Sequence, residues 1–326
     1  MKLSTLSQLA ATTLLSMAVP MSVGAADTLG QKPVTLIIAL APGGSVDVET
    51  RLYAKHIGGN LLPQQFLIDY KPGASGAIAA AYIARAVPDG HTLQIISTSF
   101  TAFPALYKDL SFDTMKDFTH ISQVSTKHFV LAVNPSLPYK TFPEYVAYTR
   151  ANPDKVNMAT TGAGGSGHLA GAWLHSMINA KATFVHYKGL SPAVIDLIAG
   201  RVQVSLVALQ TTVSMFKSGK IRPIAMMGSS RTDLIPGLPT VGEFVPGYTF
   251  ESYTGISGPS GISAGVVRQL NEAFAKVVKV PDVIKALDAE GSVPVGSTPG
   301  EFAKLLQIET DRWKKVAKDN NITLDE

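Results

Sequence analysis

A glycine-rich segment in the middle of the chain, residues 160–168 with the sequence TTGAGGSGH, has the composition of an anion-binding loop. It follows an apolar run at residues 156–159 and precedes Leu169, Leu174 and Ile178, which recur at helical spacing. A strand that enters a helix through such a loop directs free backbone N–H groups and the positive end of the helix dipole toward one point. The segment therefore predicts a site for an anion.

A second segment of similar design, residues 41–47 with the sequence APGGSVD, follows the apolar run at residues 36–40. Ser45 and Asp47 are residue types that favour the start of a helix there. Ser97, Thr98 and Ser99 follow a third buried run at residues 93–96. We predict that the two glycine loops face each other across a cleft and close on a carboxylate.

The segment from Gly162 to Gly167 also matches the G-x-G-x-x-G pattern of dinucleotide-binding folds. Such folds place an acidic residue about 20 positions further on, where it binds a ribose hydroxyl. The next predicted strand ends in His186, Tyr187 and Lys188, without a carboxylate. We therefore favour anion binding and expect no cofactor, while a purely structural loop remains a third interpretation.

Enzymatic chemistry has less support, because no nucleophile and base stand at a recognised spacing. Residues 164–168 approach the nucleophile-elbow pattern G-x-S-x-G, but His168 occupies the position of its last glycine. The chain also lacks a zinc-binding H-E-x-x-H pair and a phosphate-loop lysine signature. We expect no catalytic residue and no metal site. An exported α/β enzyme acting on a small anionic substrate is the alternative, and a signalling or scaffold module is a third hypothesis.

Two side chains near these loops each have two interpretations. Asp47 either hydrogen-bonds a ligand or complements the N-terminus of its own helix. Phe100, with Phe103, either lines the site and selects an aromatic or long ligand, or packs in the core beneath the loop. If both rings face the cleft, aromatic acids should bind best.

The N-terminus has the layout of a cleaved secretory signal, with Lys2, an apolar stretch at residues 6–19 and small residues before Asp27. We predict cleavage after Ala26, and an N-terminal membrane anchor is the alternative. The absence of cysteine fits an exported protein that folds without disulfides. The net charge of +4 comes without basic clusters interleaved with aromatic residues, so nucleic acid is not an expected partner.

Apolar runs and helical patterns alternate along the rest of the chain, which predicts two doubly wound α/β domains joined by a hinge. We place the first domain at residues 27–133 plus 249–326 and the second at residues 134–248. The strand predicted at residues 129–133 thus belongs to the first domain, and residues 100–120 are expected to be irregular. Two covalent crossings between domains favour a closing motion.

Several motifs together resemble the Bug family, the periplasmic solute-binding proteins of tripartite tricarboxylate transporters. The resemblance covers essentially the whole chain after the signal, in the same order. Where Ala74, Ser75 and Gly76 stand, family members usually have a doubled glycine. The motifs that carry the resemblance are residues 42–47, 71–76, 162–168, 186–189 with Pro192, and 236–243.

The resemblance implies a monomeric Venus-flytrap receptor in the periplasm. It binds a small carboxylate, such as a di- or tricarboxylate or an aromatic acid, and presents it to membrane permease subunits. Backbone N–H groups and hydroxyls of the two glycine loops would hold the carboxylate. By position, the implied contacts are Gly44, Ser45, Val46 and Asp47 on one side, Thr161, Gly165 and Ser166 on the other, Ser97 and Ser99 below, and Ala208 at a strand end.

Overall fold

The computed structural model of the protein describes residues 27–323 except residues 41, 44, 161, 188 and 290, and of Ser45 and Gln210 it describes the backbone alone. The predicted signal at residues 1–26 lies outside the described residues. Among the described residues, no helix is both long and apolar enough to cross a bilayer.

The described residues form strands and helices in two α/β domains. The strands are β1 Val34–Ile38, β2 Phe66–Tyr70, β3 Thr92–Ser97, β4 Phe118–Lys127, β5 Phe129–Val133, β6 Asn157–Thr160, β7 Thr183–His186, β8 Val204–Ala208, β9 Arg222–Met226, β10 Ser252–Pro259 and β11 Ser292–Pro294. The helices are α1 Ser45–Ile57, α2 Ala77–Ala84, α3 Thr98–Leu106, α4 Phe142–Ala151, α5 Ser166–Met177, α6 Leu190–Ile198, α7 Leu209–Lys217, α8 Ala264–Val277, α9 Pro281–Ala289 and α10 Pro299–Asn320.

The first domain is built on a six-stranded sheet in the order β11-β4-β10-β3-β1-β2. Strands β1, β2 and β3 are parallel, because α1 and α2 return the chain after each strand, and β10, β4 and β11 continue the sheet in antiparallel pairs. Buried side chains of α1, α8 and α9 cover one face, and those of α2, α3 and α10 cover the other. The apolar β1 sequence VTLII is buried because both faces are covered.

The second domain has a five-stranded sheet in the order β7-β6-β8-β5-β9. Strands β6, β7 and β8 are parallel, while β5 is antiparallel to both β8 and β9. Helices α4 and α5 pack on one face and α6 and α7 on the other. The two-domain α/β architecture expected from the alternating pattern is therefore confirmed.

The predicted domain boundary after Val133 is five residues too late. Strand β5 pairs with β8 and β9, so residues 129–133 belong to the second domain and the chain crosses at His128. The chain returns to the first domain at Glu251. The Phe250 N–H still donates to the Met227 carbonyl of the second domain, and Ser252 begins β10 of the first domain. An apolar run in the sequence predicts a buried strand but does not predict which sheet that strand joins, because strands pair with residues far away in the chain.

The stretch predicted to be irregular, residues 100–120, contains most of α3 and the start of β4. Helix α3 includes Pro104 and two threonines, so its intrinsic helix propensity is low. Its buried residues Phe100 and Phe103 pack in one core cluster with Phe302 and Leu306 of α10. Tertiary packing therefore supports a helix that local sequence does not indicate.

Helix α10 connects the two domains a third time. A capping box of Thr298 and Glu301 fixes its start. Phe302 is buried in a first-domain cluster, whereas Trp313 is buried among second-domain residues. Arg312 lies over the Trp173 ring, 4.7 Å from the ring centroid, and donates to the Thr249 carbonyl at 3.3 Å. A motion between the domains must therefore displace or bend the contacts of this helix.

Glu309 provides a test of this junction through its pH dependence. Its side chain is 6% exposed and is paired with Arg312. Burial raises the pKa of Glu309 to about 7, although Arg312 opposes the shift and Glu251 adds to it. Because an unfolded glutamate titrates near 4.5, folding takes up a proton between these two values, and stability rises as the pH falls through that window.

We expect Glu309→Gln to remove this proton uptake. Between pH 8 and pH 4, the unfolding free energy of the unsubstituted protein should gain on the order of 3 kcal/mol relative to the variant. Urea denaturation at the two pH values measures the difference. Asp311→Asn, on the exposed side of the same helix, is the control and should keep the pH dependence. Parallel pH curves for the unsubstituted protein and Glu309→Gln would contradict the assignment.

Candidate functional site

The carboxyl ends of the three parallel strands of the first domain lie at one edge of the sheet. Ile38 is in register with both Tyr70 of β2 and Ile95 of β3. The loops that follow these strands, residues 39–44, residues 71–76 and the junction of β3 with α3, therefore share that edge. This is where open α/β sheets bind ligands.

The second domain repeats this arrangement. Thr160 of β6 is in register with His186 of β7, and Ala159 with Ser205 of β8. The glycine loop at residues 161–165, residues 187–189 and the junction of β8 with α7 follow the carboxyl ends of these strands. Both glycine loops thus leave the carboxyl edge of a parallel set of strands.

The chain crosses between the domains at these same two edges. Lys127, the last residue of β4, pairs with Ser252, and Thr254 two residues later pairs with Ser97 at the end of β3. On the other side of His128, Phe129 pairs with Ala208 at the end of β8. The Leu209 N–H also donates to the His128 carbonyl at 3.0 Å. The carboxyl ends of β3 and β8 are therefore adjacent to one connecting residue.

The loop before α1 is held by the side chain of Asp47. Its carboxylate accepts the Gly43 N–H at 2.8 Å and the Tyr70 hydroxyl at 2.6 Å, and it pairs with Arg51 at 3.0 Å. Gly43 adopts a left-handed φ of 93°, which glycine allows without strain. Burial by itself would raise the pKa of Asp47, but the hydrogen bonds from Tyr70, Gly43 and Arg51 outweigh it and lower the pKa.

These contacts favour the second interpretation of Asp47, in which it organises the start of its own helix. The residue is 5% exposed and both carboxylate oxygens are used within the first domain, so the side chain positions the loop instead of receiving a ligand. Its backbone N–H lies in the first turn of α1 with those of Ser45 and Val46, where a helix provides no internal acceptor. Gly44 lies outside the described residues.

A small cavity of about 30 Å³ opens between the loops of the first domain. Its lining is mostly apolar, and its polar residues include Ser75, Ser97 and Ser99, of which the Ser97 and Ser99 hydroxyls lie 3.2 Å apart. The volume admits one or two water-sized groups. The cavity therefore has room for a small terminal group of a ligand, and its serine hydroxyls can hydrogen-bond that group.

Phe100 was expected as a ligand contact, and the structure gives it a packing role. It is 2% exposed and meets the rings of Phe103, Phe118 and His120 edge to face, at centroid distances of 5.9, 5.0 and 6.1 Å. Phe103 is equally buried. Both residues form part of the cavity wall, but their exposure leaves no ring face to select an aromatic ligand.

The glycine loop of the second domain is held in the same way as the first. Gly162 and Gly164 have left-handed φ angles of 102° and 68°. The Gly164 N–H donates to Nδ1 of His168 at 3.0 Å, so the proton of the neutral ring lies on Nε2. Burial lowers the pKa of His168 to about 4, and the neighbouring His186 adds to the shift.

Asp47 and His168 therefore occupy equivalent positions in the two domains. Each is the third residue of the helix that follows a glycine loop, and each accepts the N–H of the glycine four residues earlier. The sequence prediction did not include the bond between His168 and Gly164. The shared spacing from glycine to acceptor was the available signal, and it resembles the side-chain return of a capping box.

Gly165, Ser166 and Ala208, the other expected ligand contacts of the second domain, differ in the backbone groups that they leave available. Gly165 is the N-cap of α5 in an extended conformation, and Ser166 begins the helix. Ala208 is buried, and its carbonyl accepts from the Thr212 and Thr211 hydroxyls at 2.6 and 3.2 Å. The carbonyl of Ala208 is therefore used inside α7. Thr161 lies outside the described residues.

We expect Asp47→Asn to loosen the first loop, because an amide cannot accept from Gly43, Tyr70 and Arg51 as a carboxylate does. The loss should be about 1–3 kcal/mol at pH 7, as measured by urea denaturation. The pKa of Asp47 is lowered from 3.8, so its contribution is present above about pH 4 and disappears as the pH falls through the folded-state pKa.

Asp154→Asn, at an exposed turn of the second domain, is the matched control and should change stability by less than about 0.5 kcal/mol. Equal stability of the two variants at pH 7 would show that the contacts of Asp47 contribute nothing.

Comparison with known proteins identifies the class of molecule that has this site. The family model of the tripartite tricarboxylate transporter family receptor matches residues 51–322. The protein BugT of Bordetella pertussis is 27% identical over 302 residues, which cover 92% of each chain.

Two solved structures are similar over nearly their whole length. The R. palustris protein Rpa4515 with adipate is 31% identical, with a TM-score of 0.75 over 90% of this chain and 99% of the other. MatC of Rhodopseudomonas palustris with bound malate is 29% identical, with a TM-score of 0.73 over 87% and 98%. The chain thus belongs to the receptor family of tripartite tricarboxylate transporters and is a solute-binding protein of the Bug type.

Proposed function

We propose that this protein captures a small aliphatic di- or tricarboxylate between its two domains in the periplasm and delivers it to the permease subunits of a tripartite transporter. One carboxylate would be held by the first turns of α1 and α5, and the domains would close over it. The protein acts as a monomer in this proposal, without a cofactor or metal.

The observation that carries the proposal is the matched pair of helix N-termini. Each begins directly after a glycine loop at a carboxyl edge that adjoins the His128 crossing. The first internal bond of α5 is from the Leu169 N–H to the Gly165 carbonyl at 3.0 Å, so the three preceding N–H groups of the helix have no internal acceptor. A helix N-terminus contributes about half a positive charge, and a partly buried one stabilises an anion by up to ~2 kcal/mol.

The proposed ligand class follows from two observations. The related proteins Rpa4515 and MatC were solved with adipate and malate, which are both aliphatic dicarboxylates. Phe100 and Phe103, which would have favoured an aromatic acid, are packed in the core. We therefore place aliphatic acids before aromatic ones.

The geometry of His168 supports binding over hydrolysis. A serine nucleophile needs a base whose ring nitrogen accepts its proton, and Nδ1 of His168 already accepts the Gly164 N–H. Its neighbour His186 directs Nδ1 to the Thr160 hydroxyl at 2.7 Å. Both rings are thus engaged by the structure of their own domain.

Closure would follow from the two one-residue crossings. Short connections let the domains rotate while their adjoining edges stay together. A carboxylate that contacts both helix N-termini in the closed form, and one of them in the open form, shifts the population toward closure by that difference in contacts.

We expect adipate or malate to raise the melting temperature of the protein, and benzoate to leave it unchanged. A ligand at about 100 times its dissociation constant adds about 2.7 kcal/mol to the free energy of unfolding, which thermal-shift measurement detects readily. Citrate tests the tricarboxylate class in the same screen. Stabilisation by benzoate, with none by the aliphatic acids, would reverse the ligand class, and no stabilisation by any acid would reject the receptor proposal.

We expect Ser166→Pro to abolish this stabilisation with the fold intact. Proline is well tolerated at the first position of a helix, and Gly165, with φ −66° and ψ 162°, has a conformation compatible with a following proline. The substitution removes one N–H donor and one hydroxyl from the site. Calorimetric titration with adipate and malate measures the loss.

Two variants separate the donor from other effects of the change. Ser166→Ala removes the hydroxyl and keeps the N–H, so it should retain part of the affinity. Ala264→Pro places proline at the first position of α8, far from the site, and should retain all of it. Full affinity in Ser166→Pro would count against the site.

A further inference from the structure

The turn between β2 and α2 has an unusual backbone. Four consecutive residues, Gly73, Ala74, Ser75 and Gly76, have positive φ angles of 130°, 45°, 53° and 107°. Glycine adopts such angles freely, but the Cβ atoms of alanine and serine make them unfavourable. Two strained side-chain-bearing residues thus stand in succession at the carboxyl edge of the first sheet, and strained residues of this kind concentrate at functional sites.

The surrounding structure holds the turn in this conformation. The Gly76 N–H donates to the Gly73 carbonyl at 2.9 Å, and the Tyr107 hydroxyl donates to the Ala74 carbonyl at 3.2 Å. A Cβ atom on Gly76 would lie 3.2 Å from the Ala39 Cβ atom, so the turn packs closely against the first glycine loop. The turn and that loop therefore form one rim.

Ser75 is the member of this turn whose side chain can reach a ligand. It lines the 30 Å³ cavity together with Val46, Ser97 and Ser99, whereas Ala74 does not. Ser97 and Ser99 lie at hydrogen-bond distance from each other. Ser75 is exposed, and no hydrogen bond to another described residue engages its hydroxyl, so the hydroxyl can donate to a group that enters the cavity.

We propose that Ser75 is a specificity-determining residue that donates a hydrogen bond to the second polar group of the ligand, the carboxylate that the helix N-termini do not hold. This inference rests on the proposed function. It makes the cavity a subsite for the far end of a short aliphatic chain. A dicarboxylate fills it with a hydrogen-bonded group, and a monocarboxylate of equal length places a methyl group beside the serine.

The test compares each dicarboxylate with its monocarboxylate counterpart: adipate with hexanoate, and malate with 3-hydroxybutyrate. We expect Ser75→Ala to weaken binding of the dicarboxylate about tenfold, the usual effect of a lost hydrogen bond to a charged group, and to leave the monocarboxylate unchanged. Calorimetric titration of the full protein gives all four dissociation constants.

Two glycine variants separate the hydroxyl from the strain. Ser75→Gly and Ala74→Gly both relieve a left-handed residue with a side chain, so both should raise the melting temperature. Ser75→Gly should lose the preference for the dicarboxylate, and Ala74→Gly should keep it. This combination of gained stability and lost selectivity is not expected for a residue with a merely structural role.

The outcomes distinguish this inference from the proposed function. If the unsubstituted protein binds neither these four acids nor citrate, the receptor proposal fails and the inference fails with it. If the unsubstituted protein prefers dicarboxylates and Ser75→Ala keeps that preference, the inference alone is overturned. Equal loss of selectivity in Ala74→Gly and Ser75→Gly would assign the effect to the loop conformation and would also overturn it.

Discussion

The contact between the two crossing residues is the constraint on which the rest of the molecule depends. Nδ1 of His128 lies 3.2 Å from the Glu251 carboxylate. His128 is the whole connection between β4 and β5, and Glu251 lies between Phe250, which bonds to the second domain, and Ser252, which begins β10. Because the crossings are so short, the strands next to them must end close together. The carboxyl edges of two separate sheets, each with a helix that opens from a glycine loop, are adjacent as a result.

Each glycine loop is organised before any ligand arrives. Asp47 and His168 fix the glycine four residues before them, one as a buried carboxylate and the other as a neutral ring. Each side chain accepts one backbone N–H group of its loop. The N–H groups in the first turn of each helix are not used by these side chains. Preorganised donors lose little conformational entropy on binding, which favours affinity for a small anion. The same loop geometry is thus obtained with two different side-chain chemistries.

A second set of interactions lies beside the two crossings. Trp173 stacks on Tyr248 at 4.4 Å, Arg312 lies over Trp173, and the buried pair of Glu309 and Arg312 stands beside the return crossing. Helix α10 extends this junction into the cores of both domains. This aromatic and ionic cluster therefore joins the two domains in addition to the crossings.

The sequence by itself determined the features that depend on short-range chemistry. Apolar runs before small-residue loops predicted β1, β3 and β6, the glycines predicted the turns, and the order of motifs indicated both the α/β class and the family. Tertiary structure alone decided which sheet residues 129–133 join, because strand pairing links residues far apart in the chain. It also decided that Phe100 packs in the core, that the Asp47 carboxylate is bonded to Gly43, Tyr70 and Arg51, and that Ser75 and Ser97 line one cavity. These outcomes depend on neighbours that the fold supplies, and residue type and spacing do not specify those neighbours.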